Sequence, residues 1–439
     1  MTVLRNRLLQ TLDYEELSNC MRCGFCQPAC PTFRETGYEA ASPRGRIALM
    51  KAAADGLLEP DQDFVDQMNL CLGCRACEPV CPADVKYGQL LEQTREAIAA
   101  EAPLPWWKKG VRRLAFRHLL PKQKRLTLAG KLLRLYQRSG LQGIVRKARL
   151  LHVLPTAVRE MEAILPEAAG TDLIDSMGAV VPARGEKKGR VGMFRGCIMD
   201  VLFHETNVNT VQLLTQAGYE VVIPPDQSCC GALHAHSGER DEARQLAKRN
   251  IRAFQEADVD WIASNAGGCG AMLQEYHHLL QEETWKEGAE WFSARVRDIS
   301  QLLLPAMPDL GEGHRVAKRV TYQGSCHLRN GMKVTREPEQ ILRGIPGAEY
   351  VQLFEADRCC GSAGIYNLVQ PEIAGHILAE KMEHVTATQA DLLVTSNPGC
   401  LLQMKAGIRR AGLEGKMKAV HLVDLLAEVY ADPEEHSLK

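Results

Sequence analysis

The chain has 439 residues, 45% hydrophobic and 24% charged, with a formal net charge of -1. That length suits a globular protein of two or three domains, and near-neutrality excludes a whole-chain field that would gather nucleic acid. No apolar run approaches the roughly 18 residues that span a bilayer, and Met1–Tyr14 lacks the apolar stretch of a secretion signal. A cytoplasmic protein is therefore expected, in which sixteen cysteines serve metal or redox chemistry rather than disulfides.

The first region, 1–100, carries Cys20, Cys23, Cys26, Cys30 and Pro31, then Cys71, Cys74, Cys77, Cys81 and Pro82, one run copying the other at an offset of 51. Three cysteines at two-residue spacing reach different irons of one cubane. In two-cluster ferredoxins the fourth cysteine ligates the neighbouring cluster. Cys20, Cys23, Cys26 and Cys81 are thus assigned to one [4Fe-4S] cluster, and Cys71, Cys74, Cys77 and Cys30 to the second. A pair of four-cysteine zinc sites is the alternative, for which the 2-2-3 spacing and closing proline are unusual. Between the runs, Ser42 followed by Pro43-Arg44-Gly45-Arg46 reads as a capped helix start, with Gly56 as its stop. Asp61–Leu70 reads as a second helix with Phe64, Val65 and Met68 on one face.

The middle region, 101–188, is basic. Fifteen Lys or Arg and no Asp or Glu lie between Ala102 and Arg159. Val111, Leu114, Ala115 and Leu119, then Leu128, Leu132 and Leu135, recur at helical spacing. Basic amphipathic helices beside Trp106 and Trp107 suit an anionic membrane surface or an acidic partner. The plainer reading is a solvated linker that offsets acidic patches elsewhere.

The last half repeats with a period of about 130 residues. Cys197, Cys229, Cys230 and Cys269 of one lobe (189–304) match Cys326, Cys359, Cys360 and Cys400 of the other (314–432), at offsets of 129, 130, 130 and 131. Strands at 190–194, 261–265, 319–323 and 392–397 alternate with helices at 239–254 and 371–385, which predicts a parallel α/β sheet in each lobe with cysteines in the loops after its strands. Pro305–Gly313 reads as the linker. Each four-cysteine set is a candidate metal site, for a cluster or zinc, or its Cys-Cys pair is a redox dithiol; buried cysteine acting as a small hydrophobe is the bland reading. His234, His236 and His327 lie near these cysteines, but their repeat counterparts are Gly364, Tyr366 and Ile198. They are read as polar crevice residues, with His234 and His327 the candidates for proton handling.

Taken together, these features describe an α+β multidomain protein: a helical, ferredoxin-like two-cluster domain, a basic helical middle, and two duplicated α/β Cys-Cys-Gly lobes. The combination resembles the iron-sulfur subunit of bacterial glycolate oxidase along essentially the whole chain. The resemblance rests on Asn19-Cys20-Met21-Arg22-Cys23-Gly24-Phe25-Cys26, Cys71-Leu72-Gly73-Cys74-Arg75-Ala76-Cys77, Cys359-Cys360-Gly361-Ser362-Ala363-Gly364 and Asn397-Pro398-Gly399-Cys400. The Cys-Cys-Gly domain alone is shared with heterodisulfide reductase subunits, lactate-utilisation proteins and the anaerobic glycerol-3-phosphate dehydrogenase small subunit.

The resemblance implies an electron-transfer component of a glycolate dehydrogenase. A separate FAD-bearing flavoprotein would oxidise glycolate to glyoxylate, and this chain would pass the electrons to a quinone or other acceptor. No Gly-x-Gly-x-x-Gly follows a strand here, so neither a flavin site nor catalytic residues are expected on this chain. Alternatives are the same relay for lactate or glycerol-3-phosphate, or a heterodisulfide-reductase-like catalytic subunit. The five-cysteine cluster of that last relative is not carried over, because Ala266 and Asn397 stand where its motif has a further cysteine. Peripheral contact with the inner face of the cell membrane is an alternative placement for the basic middle.

Overall fold

The computed structural model describes residues 3–101, 105–148, 150–153, 156–168, 174 and 176–430. Arg149 of the basic segment, its start at 102–104, and positions 431–432 of the second lobe lie outside the described residues.

The N-terminal region is helical, and its loops carry the cysteines. Helix Val3–Thr11 lies along Tyr87–Glu101, and Leu4, Leu8, Ile47, Met50, Phe64 and Leu90 fill the space between them and the inner helices. The Ser42 side chain accepts from Gly45 N at 3.0 Å and Pro43 takes the first helical position, as the motif predicts. Gly45 has its own reason: a Cβ there would lie 1.9 Å from the Glu39 carbonyl oxygen. The helix ends at Ala54, with Gly56 left-handed. Helix Gln62–Leu70 is capped by Asp61 and buries Phe64, Val65 and Met68.

The basic middle forms helices Trp106–Arg113, Gln123–Arg138, Leu141–Lys147 and Thr156–Ile164, with a wide turn at Leu114–Leu119. Its apolar rows do not form the buried face. Val111, Leu114, Leu128, Leu132 and Leu135 are exposed, while Phe116 and Leu126 are buried, and Gly130 lets Val201 approach. Some of the charge is answered locally: Arg112 pairs with Glu239 at 2.7 Å, Arg117 with Glu242, and Arg146 with Glu162.

The two lobes share one topology. In the first, strands β1 (Val180–Val181), β2 (Gly189–Met193), β3 (Tyr219–Val222), β4 (Trp261–Ser264) and β5 (Val296–Asp298) lie in the order β1-β3-β2-β4-β5, with β1 antiparallel and the others parallel. In the second, β6 (Arg319–Tyr322), β7 (Glu349–Tyr350), β8 (Leu392–Thr395) and β9 (Lys418–His421) lie in the order β7-β6-β8-β9, all parallel. Without β1 the two orders are the same. Even side-chain details repeat: Asp260 accepts from Arg190 N and Asp391 from Arg319 N, both at 2.8 Å. The segment between the lobes, Pro305–Gly313, begins in a helical turn, Leu304–Leu310, with Ala306 and Leu310 buried. Pro305 stands in its first turn, where a missing N–H costs nothing, and the apolar residues hold it down.

The lobes meet through the loops after β4 and β8. Gly267 N donates to Ser396 O at 3.0 Å, Gly268 N to Asn397 Oδ1 at 3.0 Å, and the His421 ring bonds Asn265 O at 2.9 Å. A charged seam ties the N-terminal region to the second lobe. Arg34 bridges Glu355 and Glu380, and Arg358 pairs with Glu355 and Glu380 and faces Glu35. Glu355, Glu380 and His384 lie close enough to share a cation, and the two arginines fill that role. No helix among the described residues is long and apolar enough to cross a membrane.

Candidate metal centres

Both N-terminal runs bend through the same backbone. Arg22 and Gly24 in the first, and Gly73 and Arg75 in the second, take φ of +58°, +92°, +68° and +59°. Glycine and arginine exchange places between the runs, so the position demands the left-handed turn whatever residue fills it. For arginine that conformation costs about 1–2 kcal/mol. Turns of this kind aim successive N–H groups inward and form the concavity in which iron-sulfur centres sit. A thiol-lined nest is the donor set such a cluster requires, and the residues present fit it.

The eight thiols fall into two sets. Cys20, Cys23, Cys26 and Cys81 open onto one cavity, walled by Pro43, Arg44, Ile47 and Pro82 and bordered on its inner side by Cys77. Cys23 is exposed and the other three are half-buried. Cys30, Cys71, Cys74 and Cys77 form the inner set and are all buried. Burial pushes the Cys74 and Cys77 thiols well above the ordinary range, and neighbouring sulfurs, Cys30 and Cys71 among them, push the same way. Cys71 ends below its ordinary value. Burial raises it, but Arg46, Arg95, the Tyr87 hydroxyl and Gly73 N more than reverse this. Cys71 Sγ accepts from Tyr87 Oη at 3.5 Å and from Gly73 N at 3.4 Å.

Each lobe gathers its four thiols at the C-terminal ends of its strands. Cys197 and Cys229 lie with sulfurs 3.5 Å apart, and contacts run on from Cys229 to Cys230 and from Cys230 to Cys269. The second lobe repeats the chain from Cys326 through Cys359 and Cys360 to Cys400. Gly231 and Gly361, at φ +87° and +85°, make the turn after each Cys-Cys pair, a region other residues enter at a cost. Four sulfurs in sequence, all buried except the half-buried Cys269, could hold a tetrahedral ion or a cluster. Where the five-cysteine motif has another thiol, Ala266 is packed in the core, while Asn397 donates from Nδ2 to Cys400 Sγ at 3.5 Å.

The second lobe touches the inner set. Cys74, Cys326, Cys359, Leu72 and Tyr366 share one buried cluster. Asn330 Nδ2 donates to the Cys74 carbonyl and the Tyr366 hydroxyl to the Leu70 carbonyl, both at 2.9 Å. Cys269 of the first lobe adjoins the apolar cluster that holds Cys360 and Cys400 of the second.

The histidines take varied places. His234 bonds the Phe116 carbonyl at 2.8 Å and packs edge-on against that ring, which makes it a tether for the middle region. His236 and His327 stack at 5.1 Å, and Nδ1 of His327 lies 3.7 Å from Cys326 Sγ. Burial first, then His236 and Arg75, hold His327 well below its ordinary pKa, so it is neutral.

Sequence reasoning passed over the residues that answer the sulfurs' charge. The sequence marks Arg46 only as part of a helix start; the signal for its role is a guanidinium on the helix face that also carries Ile47, Met50 and Ala53. Lys381 is buried beside the second lobe's pair. Burial lowers it to about 8, with Cys360 and Cys359 pulling it upward.

Comparison with known proteins adds a consistent set of matches. Residues 16–85 match the 4Fe-4S dicluster domain, 107–165 the linker region of the glycolate oxidase iron-sulfur subunit, and 191–274 and 320–405 the cysteine-rich domain. The chain is 51% identical over 431 residues to the probable glycolate oxidase iron-sulfur subunit of Bacillus subtilis (strain 168), covering 98% of this chain and 97% of that one. It is 29% identical over 394 residues to the glycolate oxidase iron-sulfur subunit of Escherichia coli (strain K12), covering 88% of each. Lactate utilization protein A of Oceanobacillus iheyensis is 32% identical over 238 residues, 54% of this chain and 96% of the relative.

Proposed function

The chain belongs to the glycolate oxidase iron-sulfur subunit family, and from that membership we propose that it relays electrons from a flavoprotein subunit oxidising glycolate to glyoxylate. It is a component of an oxidoreductase complex and carries two [4Fe-4S] clusters. When bound, such clusters accept and give up single electrons over a wide span of potentials. Cys20, Cys23, Cys26 and Cys81 would hold the outer one, and Cys71, Cys74, Cys77 and Cys30 the inner. In each lobe the four cysteines would hold a further metal centre. The division into 1–100, 101–188, 189–304 and 314–432 follows the same reading.

One observation carries the proposal: the outer thiol set, with Cys23 exposed, adjoins the buried inner set at Cys77, and the inner set adjoins the second-lobe set at Cys74. Electrons would arrive at the outer set, where Met21 and Phe25, each two residues from Cys23 in the chain, are exposed and offer an apolar landing for the flavoprotein. The chain's residues bury and orient the sulfurs and answer their charge. The substrate's chemistry is left to the partner. Anaerobically prepared chain mixed with the flavoprotein tests the assignment. Glycolate is expected to bleach the visible iron-sulfur absorption; flavin reduced by glycolate while that absorption persists would refute the relay, and bleaching by lactate alone would move it to that substrate.

The acceptor side follows the same reading. A quinone acceptor places the complex at a membrane, and the basic middle supplies the contact. Trp106, Val111, Leu114, Leu128, Leu132 and Leu135 are exposed among lysines and arginines, the pattern of a helix lying in a lipid interface. The complex is expected to co-sediment with phosphatidylglycerol vesicles but not phosphatidylcholine vesicles. Trp106→Glu with Leu132→Glu should abolish this, and raised salt should weaken it; equal sedimentation of the double variant would dismiss the contact.

A further inference from the structure

We propose that Arg46 sets the direction of electron flow between the two N-terminal clusters, by holding a buried positive charge against the inner one alone. This rests on the cluster assignment above and concerns a residue that assignment does not use.

Arg46 is fully buried. Its guanidinium donates to the Gln67 and Ala41 carbonyls, both at 2.7 Å, and to Thr32 Oγ1 at 3.1 Å. No carboxylate among the described residues pairs with it. A buried cation without a counter-charge is unstable, so the negative charge must come from what it faces. Two hydroxyls lead there. Thr32 Oγ1 lies 3.3 Å from Cys30 Sγ, and Tyr87, which stands beside the guanidinium, donates to Cys71 Sγ at 3.5 Å. Arg46 is therefore one hydroxyl removed from Cys30 and close enough to Cys71 for its charge to act on that thiol.

The repeat provides the contrast. Offset by 51, Arg44 and Arg95 are counterparts, and each serves its own run: Arg44 donates to the Arg22 carbonyl and Arg95 to the Cys71 carbonyl. Arg46 has Ala97 as its counterpart, and the guanidinium that walls the outer cavity, Arg44, is half-buried and already paired with Glu39 at 2.7 Å. The outer set also faces water. A positive charge stabilises the state with one more electron, and it acts more strongly where water is excluded. With Arg46 in place, transfer of one electron from the reduced outer cluster to the oxidised inner one runs downhill. No bond or proton moves in that step.

The test is an anaerobic redox titration of the full chain, followed by paramagnetic resonance, with Cys23→Ser assigning the outer signal. Arg46→Gln is expected to lower the inner potential alone, changing the outer-to-inner electron distribution at least tenfold, which is about 59 mV for one electron. Arg46→Lys keeps the charge and should restore most of the native potential. Unchanged potentials in Arg46→Gln would overturn the proposal, as would equal shifts of both signals. Should Arg46→Gln lose inner iron, Arg46→Lys decides. Iron retained at near-native potential supports the counter-charge, and iron lost there too shows a purely structural role. Absence of any cluster signal in the unmodified chain would instead refute the underlying assignment.

Discussion

Cys77→Ser is expected to remove about four irons per chain, the content of one cubane, and to stop acceptor reduction while glycolate still reduces the flavin of the partner. Cys77 stands at the centre of the N-terminal module. It borders the outer cavity and belongs to the inner set, where it is buried beside Cys30, Cys71 and Cys74. A serine oxygen is a harder and much more basic ligand, and burial already opposes an anion at this point. Water cannot enter freely to take the vacant place. Losing an outer-sphere partner of a metal site costs roughly 10–100-fold, so losing a ligand itself should exceed that range. Iron and sulfide analysis with stopped-flow absorbance checks both parts. Full acceptor reduction by the variant would show that electrons bypass the inner set.

Cys359→Ser should separate the two halves of the route. Cys359 and Cys326 share a buried cluster with Cys74, so on the proposed route the second lobe would be the stage beyond the inner set. In the variant, the N-terminal clusters are expected to be reduced at the native rate by the flavoprotein but reoxidised more than about 100-fold more slowly, on the same scale of ligand loss. Cys229→Ser makes the matched change in the first lobe, whose thiols lie against the Phe194 and Val201 core rather than against the ferredoxin-like module. Native reoxidation in Cys359→Ser would make the second lobe a bystander. Zinc without iron in the lobes of the unmodified chain would do the same.

Much of this was legible in the cysteines, because thiols that share a metal must recur at spacings the backbone can curl through. The eight N-terminal positions, the two lobes and their parallel sheets follow from spacing and from strand–helix alternation. Other features depend on what a segment meets after folding. Helical period marked Leu128, Leu132 and Leu135 as one face, but it could not tell that the opposite face, Leu126 and Gly130, would be the one laid on Val201. Pro305 and Gly311 mark a linker between the lobes but do not tell that Ala306 and Leu310 anchor it in a core. Asn397 looked like a missing ligand and proves to be a hydrogen-bond donor to Cys400. Arg46 is the sharpest case, since a charge inside a hydrophobic helix face makes sense only once its sulfur neighbours, 16 residues before and 25 after it in the chain, are brought around it.

The seam between the ferredoxin-like module and the second lobe also constrains how the molecule is built. Tyr366 and Asn330 close over Leu70 and Cys74, and the Arg34 and Arg358 ion pairs clamp the same face. Once that lid is shut, the inner thiols are out of reach of any carrier protein delivering iron and sulfide. The seam thereby predicts an order of maturation, in which the module is loaded while the later half of the chain is still undocked. Synthesis from the N-terminus provides that interval, since the eight thiols leave the ribosome well before residues 326–366 that will seal them in.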